Sequence, residues 1–182
     1  MDGITTLDKA TVTLVAKEKR RDVDFGYAAN SSPSPTGRGC TAGFWSNKVG
    51  QALETQNDFA VLTQLSLRNP DGSARDFTGS LSANKSALAT WLKDRNAVNM
   101  AFQTSGQLAA FQLNVLHGFY QPGTIIPTPG CNADRFMTAS QLILATEAQL
   151  SQDGYTPSGD PNRAAQECLM KALDAANNNA TR

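Results

Sequence analysis

Residues 98–117 read VNMAFQTSGQLAAFQLNVLH, and this stretch decides the fold. Apolar residues lie on nearly every side of the helix that it would form. Because a helix that is apolar all round is normally buried, we predict a central helix over Val98–His117, ended by Gly118. The pair Ser105-Gly106 leaves open a break into two helices. The large apolar positions are Phe102, Leu108, Phe111, Leu113, Val115 and Leu116.

Helical periodicity and capping signals surround this stretch on both sides. The sequence of Thr138–Gln141 matches a capping box, and Asp160-Pro161 predicts the start of a last helix. The turn sequence Asn69–Gly72, with Leu67 and Phe77 beside it, predicts a short hairpin. We therefore expect residues 40–182 to form a mainly α domain, a helical bundle with a short β-hairpin. Further helices are predicted over residues 46–56, 57–67 and 80–94.

Residues 1–27 show a different pattern. Segments 10–16 and 21–27 alternate apolar with small or polar residues, which predicts two half-buried strands of a hairpin whose tip is Lys17–Arg20. Residues 28–39 are rich in Pro and Ser and predict an extended linker that reaches roughly 37 Å at ~3.1 Å per residue. Because an isolated hairpin is marginal in water, we expect this one to pack against the rest of the chain, a neighbouring domain or another molecule.

The composition argues against two classes of function. The chain has 182 residues, 40% of them hydrophobic and 18% charged, and its 16 basic and 16 acidic residues cancel. Nucleic-acid-binding proteins normally carry a basic field, so we expect no nucleic-acid partner. No apolar run approaches the ~18 residues of a membrane span, and the first thirty residues do not resemble a signal peptide.

Few residues point to catalysis or metal binding. His117 is the single histidine. It suits a general base or a metal ligand, but a histidine that bonds the last carbonyls of a helix is the interpretation that we favour. We expect no metal site, because there is neither a second histidine nor a CxxC pair, and no cofactor.

The acidic residues mostly occupy positions that local structure explains. Asp58, Asp134 and Asp160 are typical of helix starts, and Asp71 lies in a predicted turn. Paired carboxylates far apart in sequence stay open as a hydrolase site. The oxygen-rich loops 69–72 and 153–155 lack the EF-hand pattern, so a turn is a better interpretation than a calcium site.

Three cysteines fit one disulfide and one remaining thiol. On the chain-entropy model a Cys40–Cys131 bridge stabilises by ~4.6 kcal/mol and a Cys131–Cys168 bridge by ~3.8 kcal/mol, which does not decide between them. Position favours Cys40–Cys131, since both follow loop segments, with Cys168 a free thiol in the apolar stripe of the last helix. A bridge would indicate an oxidising compartment. The predicted stripe is Ala164, Ala165, Cys168, Leu169, Ala172, Leu173 and Ala176.

Residues 40–48, CTAGFWSNK, resemble the opening motif of a bacterial extracellular module, Cys-Thr-x-Gly-(Phe/Tyr)-Trp-Lys-(Asn/Thr)-His. Further matches follow in order at residues 109–118, Cys131 and residues 172–178, so the resemblance spans about 40–179. It departs at Ser46 and Lys48, where the family usually has Lys and His. Cys168 is extra to the pattern, which supports the pairing of Cys40 with Cys131. The motif residues are Cys40, Gly43, Phe44, Trp45, Asn47, Leu113, Asn114 and Gly118.

The resemblance implies an exported, surface-attached or shed protein without a defined reaction. Residues 24–27, Asp-Phe-Gly-Tyr, resemble the closing strand of SdrD B-like or Cna B-like repeats, the immunoglobulin-like stalks of surface proteins. Only the final strands of such a repeat are present. The expected location is therefore extracellular or at the cell surface.

Three functions follow as hypotheses. The first is a non-enzymatic structural or adhesive module that contacts a neighbouring immunoglobulin-like domain or self-associates by β-strand addition, and in a head-to-tail arrangement such contacts produce a filament. The second is a carbohydrate- or surface-ligand-binding module, and the third is a carboxylate-dependent hydrolase. The inserted side chains of the first would be Val12, Leu14, Val23, Phe25 and Tyr27, and the glycan-stacking candidates of the second are Trp45, Trp91, Tyr120 and Tyr155.

Overall fold

The computed structural model describes residues 39–178. The hairpin predicted over residues 1–27 and almost all of the linker, residues 28–38, lie outside the described residues. Within them the chain is mainly helical with a two-stranded antiparallel sheet, as predicted. The elements are α1 (Ala42–Trp45), α2 (Lys48–Leu53), α3 (Gln56–Gln64), α4 (Leu81–Lys93), α5 (Met100–Leu116), β1 (Ile125–Pro127), β2 (Phe136–Thr138), α6 (Ala139–Gln152) and α7 (Arg163–Asn177).

Helix α5 is the central element and packs against α1, α3, α6 and α7. It is unbroken at Ser105-Gly106, where the Ser105 hydroxyl donates to the Ala101 carbonyl and accepts from the Arg68 N–H. Gly118 follows the helix with a φ of +75°, the left-handed conformation that glycine adopts without strain. The predicted central helix and its stop are therefore confirmed, and the helix is continuous.

Capping side chains fix the starts of several helices. Thr55 and Thr138 begin α3 and α6 with complete capping boxes, and Asp58 is the reciprocal acid of the first. The last helix begins at Arg163 rather than at Asp160-Pro161, because the Asp160 carboxylate accepts from the Asn162 N–H and holds a turn there. Asp134 lies in the loop between β1 and β2, so its predicted place at a helix start is wrong.

The short hairpin forms at a different place from the one predicted. Around Asn69–Gly72 the chain makes a single antiparallel bridge between Arg68 and Ala74. The paired strands are instead β1 and β2. Because each strand has only three residues, the sequence of this Pro/Gly-rich segment resembles a loop. The buried side chain of Ile126 anchors this sheet to the core.

Aromatic side chains link the helices through the core. Phe77 lies between Phe59 and Trp91, with ring centroids 5.6 and 6.1 Å away, and Trp91 in turn meets Phe102 at 5.8 Å. Through Phe77, which lies in the segment between α3 and α4, these contacts join α3, α4 and α5. No helix among residues 39–178 is both long enough and apolar enough to cross a bilayer.

The disulfide joins Cys131 to Cys168, with the two Cα atoms 5.5 Å apart, and Cys40 is the free thiol. The predicted Cys40–Cys131 bridge and the free Cys168 are therefore wrong. Four residues of the predicted apolar stripe of α7 are buried as expected: Leu169, Ala172, Leu173 and Ala176. The start of the stripe was predicted wrongly, since Ala164 and Ala165 are exposed and Gln166 is buried. Cys168 is half-buried at the edge of this face, within reach of the loop that carries Cys131.

Candidate functional site

The motif of residues 40–48 folds into two short helices joined by a capped turn. Thr41 caps α1 by accepting from the Phe44 N–H at 3.0 Å. Asn47 caps α2 and accepts from Val49 and Gly50 at 2.8 and 3.1 Å. A Cβ atom at Gly50 would clash with the Phe44 carbonyl and lie 2.7 Å from the Trp45 Cα. The motif thus packs one helix directly on the backbone of the other.

Asn114, in the middle of the second matched stretch, binds the first motif to the core. Its Oδ1 accepts from the Cys40 N–H at 2.9 Å and from the Trp45 indole Nε1 at 3.2 Å. Its Nδ2 donates to the Cys40 carbonyl and to Asn177 Oδ1, both at 2.9 Å. Asn114 and Trp45 are fully buried. The hydrogen bonds to the Trp45 indole and to Asn177 are fully buried, and the two to the Cys40 backbone are partly buried, so water competes little with them.

The network continues from Asn177, in the last turn of α7, to Gln107 on α5 and back to Asp174 on α7. Asn177 Nδ2 donates to the carbonyl and to the side-chain oxygen of Gln107 at 3.0 and 2.9 Å, and Gln107 donates to Asp174 at 2.6 Å. We call this set of side chains the amide network: Asn114, Asn177, Gln107 and Asp174. Through the Asn114 side chain, this network links Cys40, near the N-terminal end of the described residues, to the C-terminal end of α7.

The backbone N–H of His117 donates to the Leu113 carbonyl at 2.9 Å, but its side chain bonds no carbonyl of its own helix. Its Nε2 lies 3.1 Å from Asp58 Oδ2, an atom that also accepts from the Thr55 N–H at 2.7 Å. The ring lies 5.1 Å from that of Trp45. The side chains of His117 and Asp58 are 19% and 6% exposed, so the pair is largely shielded from solvent. His117 does follow the last turn of α5, as expected. Its side chain bonds Asp58 and not the last helix carbonyls, so that part of the favoured interpretation was wrong.

Glu54 is a site residue that the sequence did not reveal. It lies between α2 and α3, is 2% exposed, and neither carboxylate oxygen has a hydrogen-bond partner among residues 39–178. Burial raises the pKa of Glu54 to about 7, Lys85 opposes that rise and Asp58 adds to it. A carboxyl group with this pKa exchanges a proton near neutral pH. Nothing in the local sequence marks it, because its burial depends on contacts between helices.

Three of the four glycan-stacking candidates are buried. Trp45, Trp91 and Tyr120 are 0%, 5% and 3% exposed, and the Tyr120 hydroxyl donates to the Ala176 carbonyl at 2.7 Å. Tyr155 is 49% exposed. A sugar ring cannot stack on a side chain that the core covers, so the first three do not support the carbohydrate hypothesis.

The two oxygen-rich loops meet, and an amide occupies the point where they converge. Asn99 Nδ2 donates to the carbonyls of Asn69, Pro70 and Gly154 at 3.5, 3.3 and 3.1 Å. Its Oδ1 accepts from the N–H groups of Ala101 and Thr156, which fixes the orientation of the amide. These carbonyls are therefore already paired, and in the described part of the chain no three His, Cys, Asp or Glu residues cluster as metal ligands would.

An apolar groove of about 260 Å³ runs between β1 and α7. Its α7 side carries small side chains together with Lys171, and its other side is formed by β1 and the loop that follows. We call this cavity the β1–α7 groove. Its lining residues are Ile126, Pro127, Pro129, Cys168, Lys171, Ala172, Ala175 and Ala176.

The structure unites some of the residues singled out in the sequence and leaves others undescribed. Cys40, Trp45, Asn114 and His117 lie together. Phe44 is 5.2 Å from Trp45 by ring centroids, whereas Gly43 is exposed and Leu113 is core. The predicted assembly residues Val12, Leu14, Val23, Phe25 and Tyr27 lie outside the described residues.

Comparisons of the chain with protein-family models, with curated proteins and with solved structures found no match. The resemblance of residues 40–48 and 109–118 to a bacterial extracellular module stays a prediction.

Proposed function

We propose that the chain is a non-enzymatic structural or adhesive module of a bacterial extracellular or cell-surface protein, whose copies assemble by β-strand addition. The observation that carries the proposal is the amide network. The polar groups of Asn114, Trp45 and Asn177 are all satisfied inside the domain. These side chains therefore maintain the fold and are not available to a substrate.

The disulfide supports the extracellular part of the proposal. Stable bridges such as Cys131–Cys168 are typical of oxidising compartments and rare in the cytosol. The pair closes the end of the β1–β2 loop onto α7, so it stabilises a segment that has little regular structure of its own. A module exposed outside the cell benefits from such a restraint.

The sequence of residues 10–27 supports the assembly part. Two amphipathic segments with no further predicted strand beside them do not bury their apolar side chains on their own. Addition to the sheet edge of a neighbouring copy would cover these side chains. Because donor and acceptor would differ, such contacts continue from copy to copy.

The test measures the mass of the full chain by light scattering as a function of concentration. We expect association that the double substitution Val23→Asp/Phe25→Asp weakens at least tenfold. The matched control, Thr11→Asp/Thr13→Asp, adds the same charge on the opposite predicted strand face and should leave association nearly unchanged. A full chain that is monomeric throughout, or a V23D/F25D variant that associates like the parent, would refute the assembly.

A carboxylate-dependent hydrolase is a second candidate because of Glu54. A buried carboxyl with a pKa of about 7 beside a second acid, Asp58, is an arrangement that general acids use. Release of reducing sugar from cell-wall glycans separates the two proposals. A hydrolase would release it and lose this activity on Glu54→Gln, whereas a structural module would release none with either protein.

A further inference from the structure

The β1 strand has one edge that β2 does not cover. In the register of the sheet, Thr128 and Ala139 donate to the carbonyls of Arg135 and Thr124. Hydrogen-bonded pairs alternate along an antiparallel ladder, so Ile126 faces β2 whereas Ile125 and Pro127 direct their backbone groups away from it. Among residues 39–178, no hydrogen bond engages the N–H and carbonyl of Ile125 or the carbonyl of Pro127. This edge therefore offers one N–H and two carbonyls to another strand, because Pro127 has no N–H.

The β1–α7 groove lies on that uncovered side, because residues of β1 line it and residues of β2 do not. Ala172, Ala175 and Ala176 form its α7 wall. Neighbouring strands lie ~4.8 Å apart, and alanine side chains leave space for larger side chains from a strand placed beside β1. The groove is therefore shaped to hold a third strand at the edge of the sheet.

We propose that residues 21–27 of a second copy bind this groove as a third strand beside β1. In this arrangement Val23, Phe25 and Tyr27 face the alanines of α7, and Asp22 and Asp24 point to the other face. The inference rests on the proposed function, since it names the acceptor site for the strand that the assembly donates.

Two observations favour this occupant. Gly39 packs so closely against Ala176 that a Cβ atom would clash with the Ala176 carbonyl, so the chain leaves the described domain beside the groove. The eleven residues from 28 to 38 span up to roughly 34 Å at ~3.1 Å each, enough to reach a neighbouring copy.

Complementation of two defective copies tests the site. Ala175→Phe fills the groove but leaves the donor segment intact, whereas V23D/F25D damages the donor and leaves the groove intact. We expect each variant alone to associate at least tenfold more weakly than the parent chain, and an equimolar mixture to form a 1:1 dimer that grows no further. The matched control is Ala60→Phe, an exposed alanine of α3 away from the groove.

A second, smaller substitution keeps the test valid if A175F misfolds. Ala175→Asp places a charge in the apolar groove with little added bulk, and we expect it to weaken association at least threefold, while Ala60→Asp on α3 does not. Circular dichroism and thermal unfolding establish that each variant is folded. The proposal is wrong if A175F and A175D both associate like the parent, or if the mixture stays monomeric.

The outcomes separate the two proposals. If V23D/F25D abolishes association while the groove variants leave it unchanged, strand donation stands and the acceptor lies elsewhere. If V23D/F25D has no effect, the assembly itself is refuted. If the parent chain is a monomer in which its own residues 21–27 shield the groove from solvent, binding between copies is refuted.

Discussion

Asn114 shows how much one side chain contributes when it is fully buried. Four hydrogen bonds converge on it, from two positions of the motif backbone, one indole and one amide. A buried polar group that loses its hydrogen-bond partner destabilises the folded state by its full desolvation free energy. Removal of the Asn114 side chain takes that partner from all of these groups at once.

We expect Asn114→Ala to lower the free energy of unfolding by about 4 kcal/mol, roughly 1 kcal/mol for each hydrogen bond. The measurement is urea unfolding followed by tryptophan fluorescence, which also reports on Trp45. The matched control is Gln112→Ala, half-buried on the same helix, with a loss of about 1 kcal/mol or less. Equal losses for the two variants would show that the network does not stabilise the domain.

Glu54 predicts a distinctive dependence of stability on pH. Its pKa is about 7 in the folded chain against an ordinary value of 4.5, so folding favours its protonated form. The penalty for ionising it is absent below pH 4.5, grows as the pH rises, and is complete above pH 7. Glu54→Gln mimics the protonated form, so we expect the variant to be about 3 kcal/mol more stable than the parent at pH 8 and equal to it near pH 4.

Urea unfolding at the two pH values measures this difference. Glu167→Gln is the control, because Glu167 is an exposed acid whose pKa is lowered by Lys171. That substitution should give no gain at pH 8. A pH-independent difference between E54Q and the parent would contradict the assignment of the raised pKa to Glu54.

The sequence could indicate some of these residues and not others. The motif resemblance singled out Asn114 and Trp45. Trp45 and Trp91 were also candidates for glycan stacking, and both indoles are buried. Glu54 carried no signal, because its burial results from the packing of several helices. Asn177 stood out only as part of a matched stretch, and its buried hydrogen bonds to Gln107 depend on how α7 packs against α5.

At the scale of elements, helices with long apolar patterns were predictable and short strands were not. The extent of α5 follows from its apolar positions, and the capping box of α6 fixed its start. β1 and β2 have three residues each, too few for an alternating pattern. The disulfide depended on which edge of α7 faces the β1–β2 loop, and the sequence pattern could not show that Cys168 lies at that edge.

The observed pairing makes a specific prediction. We expect Cys131→Ser/Cys168→Ser to lower the free energy of unfolding by about 4 kcal/mol on the chain-entropy model for a sequence separation of 37. Cys40→Ser should change it by about 1 kcal/mol or less. Thermal unfolding compares the three proteins.

Alkylation provides an independent check on the same bridge. Iodoacetamide added to denatured, unreduced protein should label Cys40 alone. In the native state the labelling should be slow at neutral pH, because burial raises the pKa of the Cys40 thiol and the thiolate is the reactive form. Recovery of Cys168 in the labelled peptide would contradict the observed pairing.

At the scale of the whole molecule, we propose a helical domain that is stable by itself, connected to an amphipathic segment that requires a partner. The amide network and the disulfide hold the described domain together without any second copy. Association is therefore predicted to depend on residues 21–27 and on the groove, and not on the stability of the domain itself. Variants N114A and V23D/F25D should separate these properties: the first lowers stability, and the second lowers association.

The most direct test places a photo-crosslinking benzoylphenylalanine at position 25 of the full chain and mixes unlabelled with ¹⁵N-labelled copies. After irradiation, mass spectrometry identifies the crosslinked peptides and their isotope composition. The account predicts mixed light–heavy crosslinks that join position 25 to residues 125–127 or 171–176. Crosslinks confined to single chains, or mixed crosslinks that reach only other surfaces, would contradict it.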